Sequence, residues 1–149
     1  EIMSRDDLIR KLKSFFDENA GRYSIDMAFL YGSWAKGFPK ETSDVDIAVF
    51  FYPEKDSDDE EFNMITDISL QLSEIMRKEI NIILIRTDFR KPMLYYNAIV
   101  LGQPIYIKNT ERYISLKNEV IYQMEDFSIF GIGWQLLIAK ENIRRLRNA

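Results

Sequence analysis

The chain has 149 residues, 20 Lys+Arg against 24 Asp+Glu, a net charge of −4, and neither Cys nor His. That length suits a single domain with one sizeable core. The missing residue types exclude a Ser-His-Asp triad, a thiolate nucleophile, a zinc finger and a disulfide. Any base or metal ligand must therefore be Asp, Glu, Lys, Tyr, Asn or backbone.

No stretch reaches the roughly 20 apolar residues of a membrane span, and charges run through Glu1 to Arg10, so a soluble cytoplasmic protein is expected. Mild acidity argues against a broad nucleic-acid face. Ser4 and Asp7 resemble a capping box, followed by Leu8, Ile9, Leu12, Phe15 and Phe16 at helical spacing. This predicts an amphipathic helix that stops at Gly21. Ile25 to Tyr31 is a dense apolar run, read as a buried strand ending at Gly32-Ser33. A short turn or helix (Ser33 to Gly37) and a polar loop (Pro39 to Ser43) precede a second buried strand, Val45 to Tyr52.

The acidic run from Glu54 to Glu61 opens a helix, where carboxylates suit the positive end of the macrodipole. Phe62, Ile65, Ile68, Leu72, Ile75 and Met76 form its apolar face, and Arg77-Lys78 close it. Ile80 to Ile85 reads as a third strand, Pro92 to Leu101 as a helix, and Pro104 to Ile107 as a short edge strand. Tyr95-Tyr96 read as a helix face packing on the sheet, with a pocket lining as the alternative. From Thr110 the pattern is helical to the end, interrupted at Gly131-Ile132-Gly133. Its stripe of Tyr113, Leu116, Val120, Ile121 and Met124 covers the sheet or binds a partner. Arg144-Arg145-Leu146-Arg147 reads as a solvated helix end, with a nucleic-acid contact as the alternative. The whole is an α/β sandwich on a small mixed sheet.

The informative stretch is Gly32-Ser33, then Asp44-Val45-Asp46 at the start of a strand. Side chains two apart on a strand share a face, roughly 6–7 Å apart along the backbone. Two carboxylates held side by side repel unless a cation sits between them or one is protonated. Oxygen ligands of this kind suit Mg²⁺, completed by substrate phosphates. A glycine bend opening a helical turn lets phosphate approach backbone N–H groups, with a hydroxyl from Ser33 and charge from Lys36.

Gly32-Ser33, ten residues, then Asp44-Val45-Asp46 resembles the GS-x₁₀-DxD signature of the DNA polymerase β-like nucleotidyltransferase superfamily. The string FLYGSWAKGFPKETSDVDIAVF is most similar to the minimal nucleotidyltransferases, which include the MntA antitoxins of HepT–MntA pairs. The resemblance implies a polymerase β-like fold: a small mixed sheet with helices on one side and a helical C-terminal segment. It implies one domain over 1–149, with a core at about 25–107 and an extension at about 110–149. It also implies Mg²⁺ or Mn²⁺ on Asp44 and Asp46. A nucleoside triphosphate, ATP by resemblance, would lie at Gly32, Ser33, Lys36 and Ser43. The acceptor hydroxyl would be a tyrosine of a HepT-like helical partner or a small molecule. Trp34 is expected to pack in the core, with stacking on a base as the alternative. Tyr122, Asp126 and Phe127 resemble a Y-x-x-x-D-F pattern of some relatives.

One position departs from that family. A third carboxylate is usual on a later strand, and Asn81 stands there, with Glu79 two residues earlier on the same side. Asn offers a carbonyl oxygen but no charge and no basic group. The chain is therefore expected to be a transferase or, alternatively, a nucleotide- or partner-binding module that keeps the cradle and has lost turnover.

Overall fold

The computed structural model describes residues 3–37, 43–88 and 90–148, with the side chains of 127–135 excepted. Of the expected loop Pro39 to Ser43, only Ser43 falls among them, and the Phe127 side chain also lies outside. In chain order the elements are α1 (Arg5–Tyr23), β1 (Ile25–Tyr31), α2 (Ser33–Lys36), β2 (Val45–Phe51) and α3 (Asp58–Met76). They continue with β3 (Ile80–Leu84), α4 (Pro92–Ile99), β4 (Gln103–Ile107) and α5 (Thr110–Arg147).

Helix α1 begins at its cap, where the Ser4 hydroxyl accepts the Asp7 N–H at 3.1 Å. It does not stop at Gly21. It runs on to the buried Tyr23 and ends at Ser24, which is left-handed (φ 57°). An isolated glycine costs a helix about 1 kcal/mol, less than the burial still to be gained from Tyr23. Helix α3 is capped by Ser57, whose hydroxyl accepts the Glu60 N–H at 3.1 Å, with four acids in its first turn. Ile68, Leu72 and Met76 are buried, but Phe62 and Ile75, at the margins of the stripe, are exposed. Arg77 is a left-handed cap (φ 54°), so Arg77-Lys78 lie just past the helix.

The sheet order is β3-β2-β1-β4. Strand β1 runs antiparallel to β2 and β4, and β2 is parallel to β3 through the α3 crossover. Strand β4 is the expected edge, where Pro104 is tolerated. One face of the sheet, including Leu30, Val45, Ile47 and Val49, packs on Leu8, Leu12 and Phe16 of α1 and Ile68 and Leu72 of α3. The other, with Met27, Phe29, Ala48 and Phe50, packs on Tyr95, Ala98 and Ile99 of α4 and Leu116 and Val120 of α5.

Helices therefore cover both faces, not one. Strands β1 and β2 are apolar on both sides, and each side has to be shielded from water. Tyr95 and Tyr96 belong to that second layer, as the packing reading had them.

Helix α5 is a single 38-residue helix without the interruption expected at Gly131-Ile132-Gly133. Its first half covers the sheet, while Leu136, Leu137, Ile138, Ile143 and Leu146 in its second half are exposed. An ion pair anchors its start. Asp26, 1% exposed beside the β1 irregularity, receives Arg112 Nε at 3.0 Å and Nη2 at 2.7 Å. Among the described residues no helix is long and apolar enough to cross a membrane.

Candidate active site

The two aspartates stand at the N-terminal end of β2, Asp44 just before the strand and Asp46 within it. Val45, Ile47 and Val49 alternate with them and are fully buried against α1 and α3. That alternation turns Asp44 and Asp46 to the opposite face, on the side of α4 and α5. Across the sheet, Asp46 is flanked by Tyr31 of β1 and Asn81 of β3. The Asn81 amide nitrogen donates to Asp44 Oδ2 and to Asp46 Oδ1, each at 3.3 Å. Glu79 is exposed and gives its backbone carbonyl to the Val45 N–H at 2.9 Å. Among the described residues no three acidic side chains form a group able to hold a metal.

On the other side of Asp46 lies the bend. Gly32 has φ 74° and ψ −152°, a conformation essentially reserved for glycine. A Cβ there would sit 2.4 Å from Asp46 Oδ2. The bend and the acid are thus in contact, which only a residue without a side chain permits. Ser33 opens α2, whose first internal bond is Lys36 N–H to the Gly32 carbonyl at 3.1 Å. The N–H groups before it have no acceptor within the helix. Lys36 is exposed at the end of the turn.

Residues from elsewhere in the chain fix this corner. Trp34 is 3% exposed, in the core as expected, and its Nε1 donates to the Ser43 carbonyl at 3.2 Å. This draws the residue before Asp44 against α2. Arg5 donates to the carbonyls of Trp34 (3.0 Å) and Ala35 (3.2 Å), satisfying the end of the turn. The Lys78 ammonium lies 5.2 Å from the centre of the Trp34 ring. Sequence reasoning missed Arg5 and Lys78, because nothing local marks a contact between residues about thirty or more positions apart.

The electrostatics are those of negative charge with little compensation. Burial, with help from the Asp44 charge, pushes the Asp46 carboxyl above its ordinary 3.8, against the Asn81 hydrogen bond. Burial and the charge of Asp46 push the Tyr31 phenol up to about 12. No salt bridge among the described residues reaches Asp44 or Asp46. Two unneutralised carboxylates of hard oxygen character, beside a backbone bend, fit one divalent cation shared with phosphate oxygens.

Comparison with known proteins agrees with this architecture. The family model described as polymerase beta, nucleotidyltransferase matches residues 10–111. Among solved structures, a mutant toxin–antitoxin MntA–HpeT complex is similar at TM-score 0.63 and 14% identity, over 87% of this chain and 98% of that one. A toxin–antitoxin complex with AMP-PNP gives TM-score 0.62 and 14% identity, over 84% and 98%. The tri-AMPylated Shewanella oneidensis HEPN toxin in complex with MNT antitoxin gives TM-score 0.58 and 12% identity, over 87% and 98%. At these identities the likeness is one of fold. No curated protein matches the sequence. With the matched model spanning more than half of its length, the chain belongs to the polymerase beta nucleotidyltransferase family.

Proposed function

We propose that the chain moves AMP from ATP to a hydroxyl acceptor, a tyrosine of a HepT-like helical partner. The contact between Asp46 and the Gly32 bend carries this reading, because it joins a cation site to a phosphate cradle. Asp44 and Asp46 hold the cation. A Mg²⁺ or Mn²⁺ ion held there would supply positive charge to the phosphate oxygens.

The remaining work falls to the protein. The N–H groups at Gly32 and Ser33 and the Ser33 hydroxyl take the β- and γ-phosphate oxygens. Lys36 adds positive charge one turn on, and Ser43, tied to Trp34, sets the approach to Asp44. The acceptor hydroxyl attacks the α-phosphorus in line; its new P–O bond forms as the bond to pyrophosphate breaks, and its proton passes to solvent water. In this scheme residues 1–149 act as one domain, with the transfer core at about 25–107 and α5 as the arm that meets the partner. The exposed apolar residues in the second half of α5 support that role.

The test is incubation with ATP, Mg²⁺ and a HepT-like protein, followed by mass spectrometry of the partner's tyrosines. AMP addition that disappears in Asp44→Ala is the expected result. No transfer by the wild type, with nucleotide binding retained, favours a second reading: a binding module without turnover. Asn81 is the observation behind it, since its amide lacks the charge and basicity of a carboxylate.

A further inference from the structure

The position of Asn81 bears on how many cations the site takes. A carboxylate only accepts hydrogen bonds, whereas an amide has a donor end and an acceptor end. The donor end of Asn81 is turned to both acids, 3.3 Å from Asp44 Oδ2 and 3.3 Å from Asp46 Oδ1. One nitrogen with two hydrogens thus serves two carboxylates. Strand pairing holds it there, since Asn81 lies directly beside Asp46 in the parallel β2–β3 register.

The two oxygens of Asp46 therefore face different surroundings. Oδ1 meets the positive end of the Asn81 amide, and Oδ2 meets the Gly32 bend. A cation on the bend side leaves both amide hydrogen bonds intact. A cation on the β3 side would confront the amide hydrogens, and would have to break both bonds and reverse the amide to find an oxygen. Charge balance points the same way. Two carboxylates offset one divalent ion, and the third acid that would help to hold another is absent among the described residues.

We propose that this chain holds a single divalent cation, on the Gly32 side of the acid pair, and that Asn81 sets this number by filling the β3 side. Asn81 is then a positioning residue: it draws the two carboxylates together before any ion arrives. The inference rests on the reading of Asp44 and Asp46 as cation ligands.

Titration of the whole chain with Mn²⁺ alone, with free Mn²⁺ followed by electron paramagnetic resonance, counts the sites without reference to turnover. Wild type is expected to bind one Mn²⁺, and Asn81→Asp two. Asn81→Ala is expected to bind one, about tenfold more weakly, because the acids lose the group that holds them. Two Mn²⁺ in the wild type would overturn the proposal whether or not Asn81→Asp folds. So would an unchanged count in a folded Asn81→Asp, or unchanged affinity in Asn81→Ala. A wild type that binds no Mn²⁺ would instead overturn the underlying assignment of Asp44 and Asp46.

Discussion

Gly32 and Asp46 touch: a methyl group added at Gly32 would lie 2.4 Å from Asp46 Oδ2. The residues are 14 apart in sequence, yet this contact sets the distance between a bend suited to phosphate and a carboxylate suited to a cation. Gly32→Ala would introduce both the clash and a backbone conformation that side chains avoid. The expected outcome is a loss of about 1–3 kcal/mol of stability and at least tenfold weaker nucleotide binding. Thermal melts and calorimetric titration with an ATP analogue measure the two effects separately.

Asp46 gives a prediction of opposite sign for stability. Its folded carboxyl is held above the ordinary 3.8, first by burial and then by Asp44. Between that ordinary value and the raised one, the native state keeps a proton that the unfolded chain has lost. Stability therefore falls as pH rises through this window, and above it the ionised Asp46 is a standing cost to the fold. Asp46→Asn should melt at a higher temperature than wild type at pH 7, with the difference shrinking toward pH 4, while cation binding is lost. Melting curves across that range check the sign.

These relationships were unequally visible in the sequence. The acid pair and its orientation were legible, because alternation with Val45, Ile47 and Val49 leaves Asp44 and Asp46 only one face. The end of β1 followed from the Gly32-Ser33 bend, whereas β2 stops at Phe51, one residue before the expected Tyr52. Cover on both sheet faces was written into the apolar stretches 27–30 of β1 and 47–51 of β2, although the family resemblance suggested one. The Gly21 and Gly131-Ile132-Gly133 stops failed because glycine weakens a helix without ending it when neighbouring turns hold. The role of Asp26, one acid within the apolar run of β1, was not legible, since its partner Arg112 is 86 residues away. Long-range pairs of this kind leave no local pattern to find.

That pair is itself open to measurement. Asp26 is almost fully buried, and Arg112 reaches it with two hydrogen bonds while stacking 4.0 Å from the centre of the Tyr52 ring. Arg112→Ala would strand a buried charge, at an expected cost of about 3–5 kcal/mol. Replacing Asp26 and Arg112 together with apolar residues should restore much of it. Denaturant unfolding of the two single variants and the double variant yields the coupling directly.

The second half of α5 should matter for association and not for folding. Ile143 and Leu146 are exposed, so Ile143→Glu should change stability by no more than about 0.5 kcal/mol. If this face meets the helical partner, the same change should weaken the complex about tenfold or more. Surface plasmon resonance against an immobilised HepT-like protein distinguishes the two quantities.

The central claim, that the acid pair and the glycine bend together hold a metal-bound triphosphate, is tested most directly by calorimetric titration with an ATP analogue that cannot transfer AMP. The account predicts binding that requires Mg²⁺ and disappears in Asp44→Ala. Equal affinity in the presence of a chelator, or in Asp44→Ala, would contradict it.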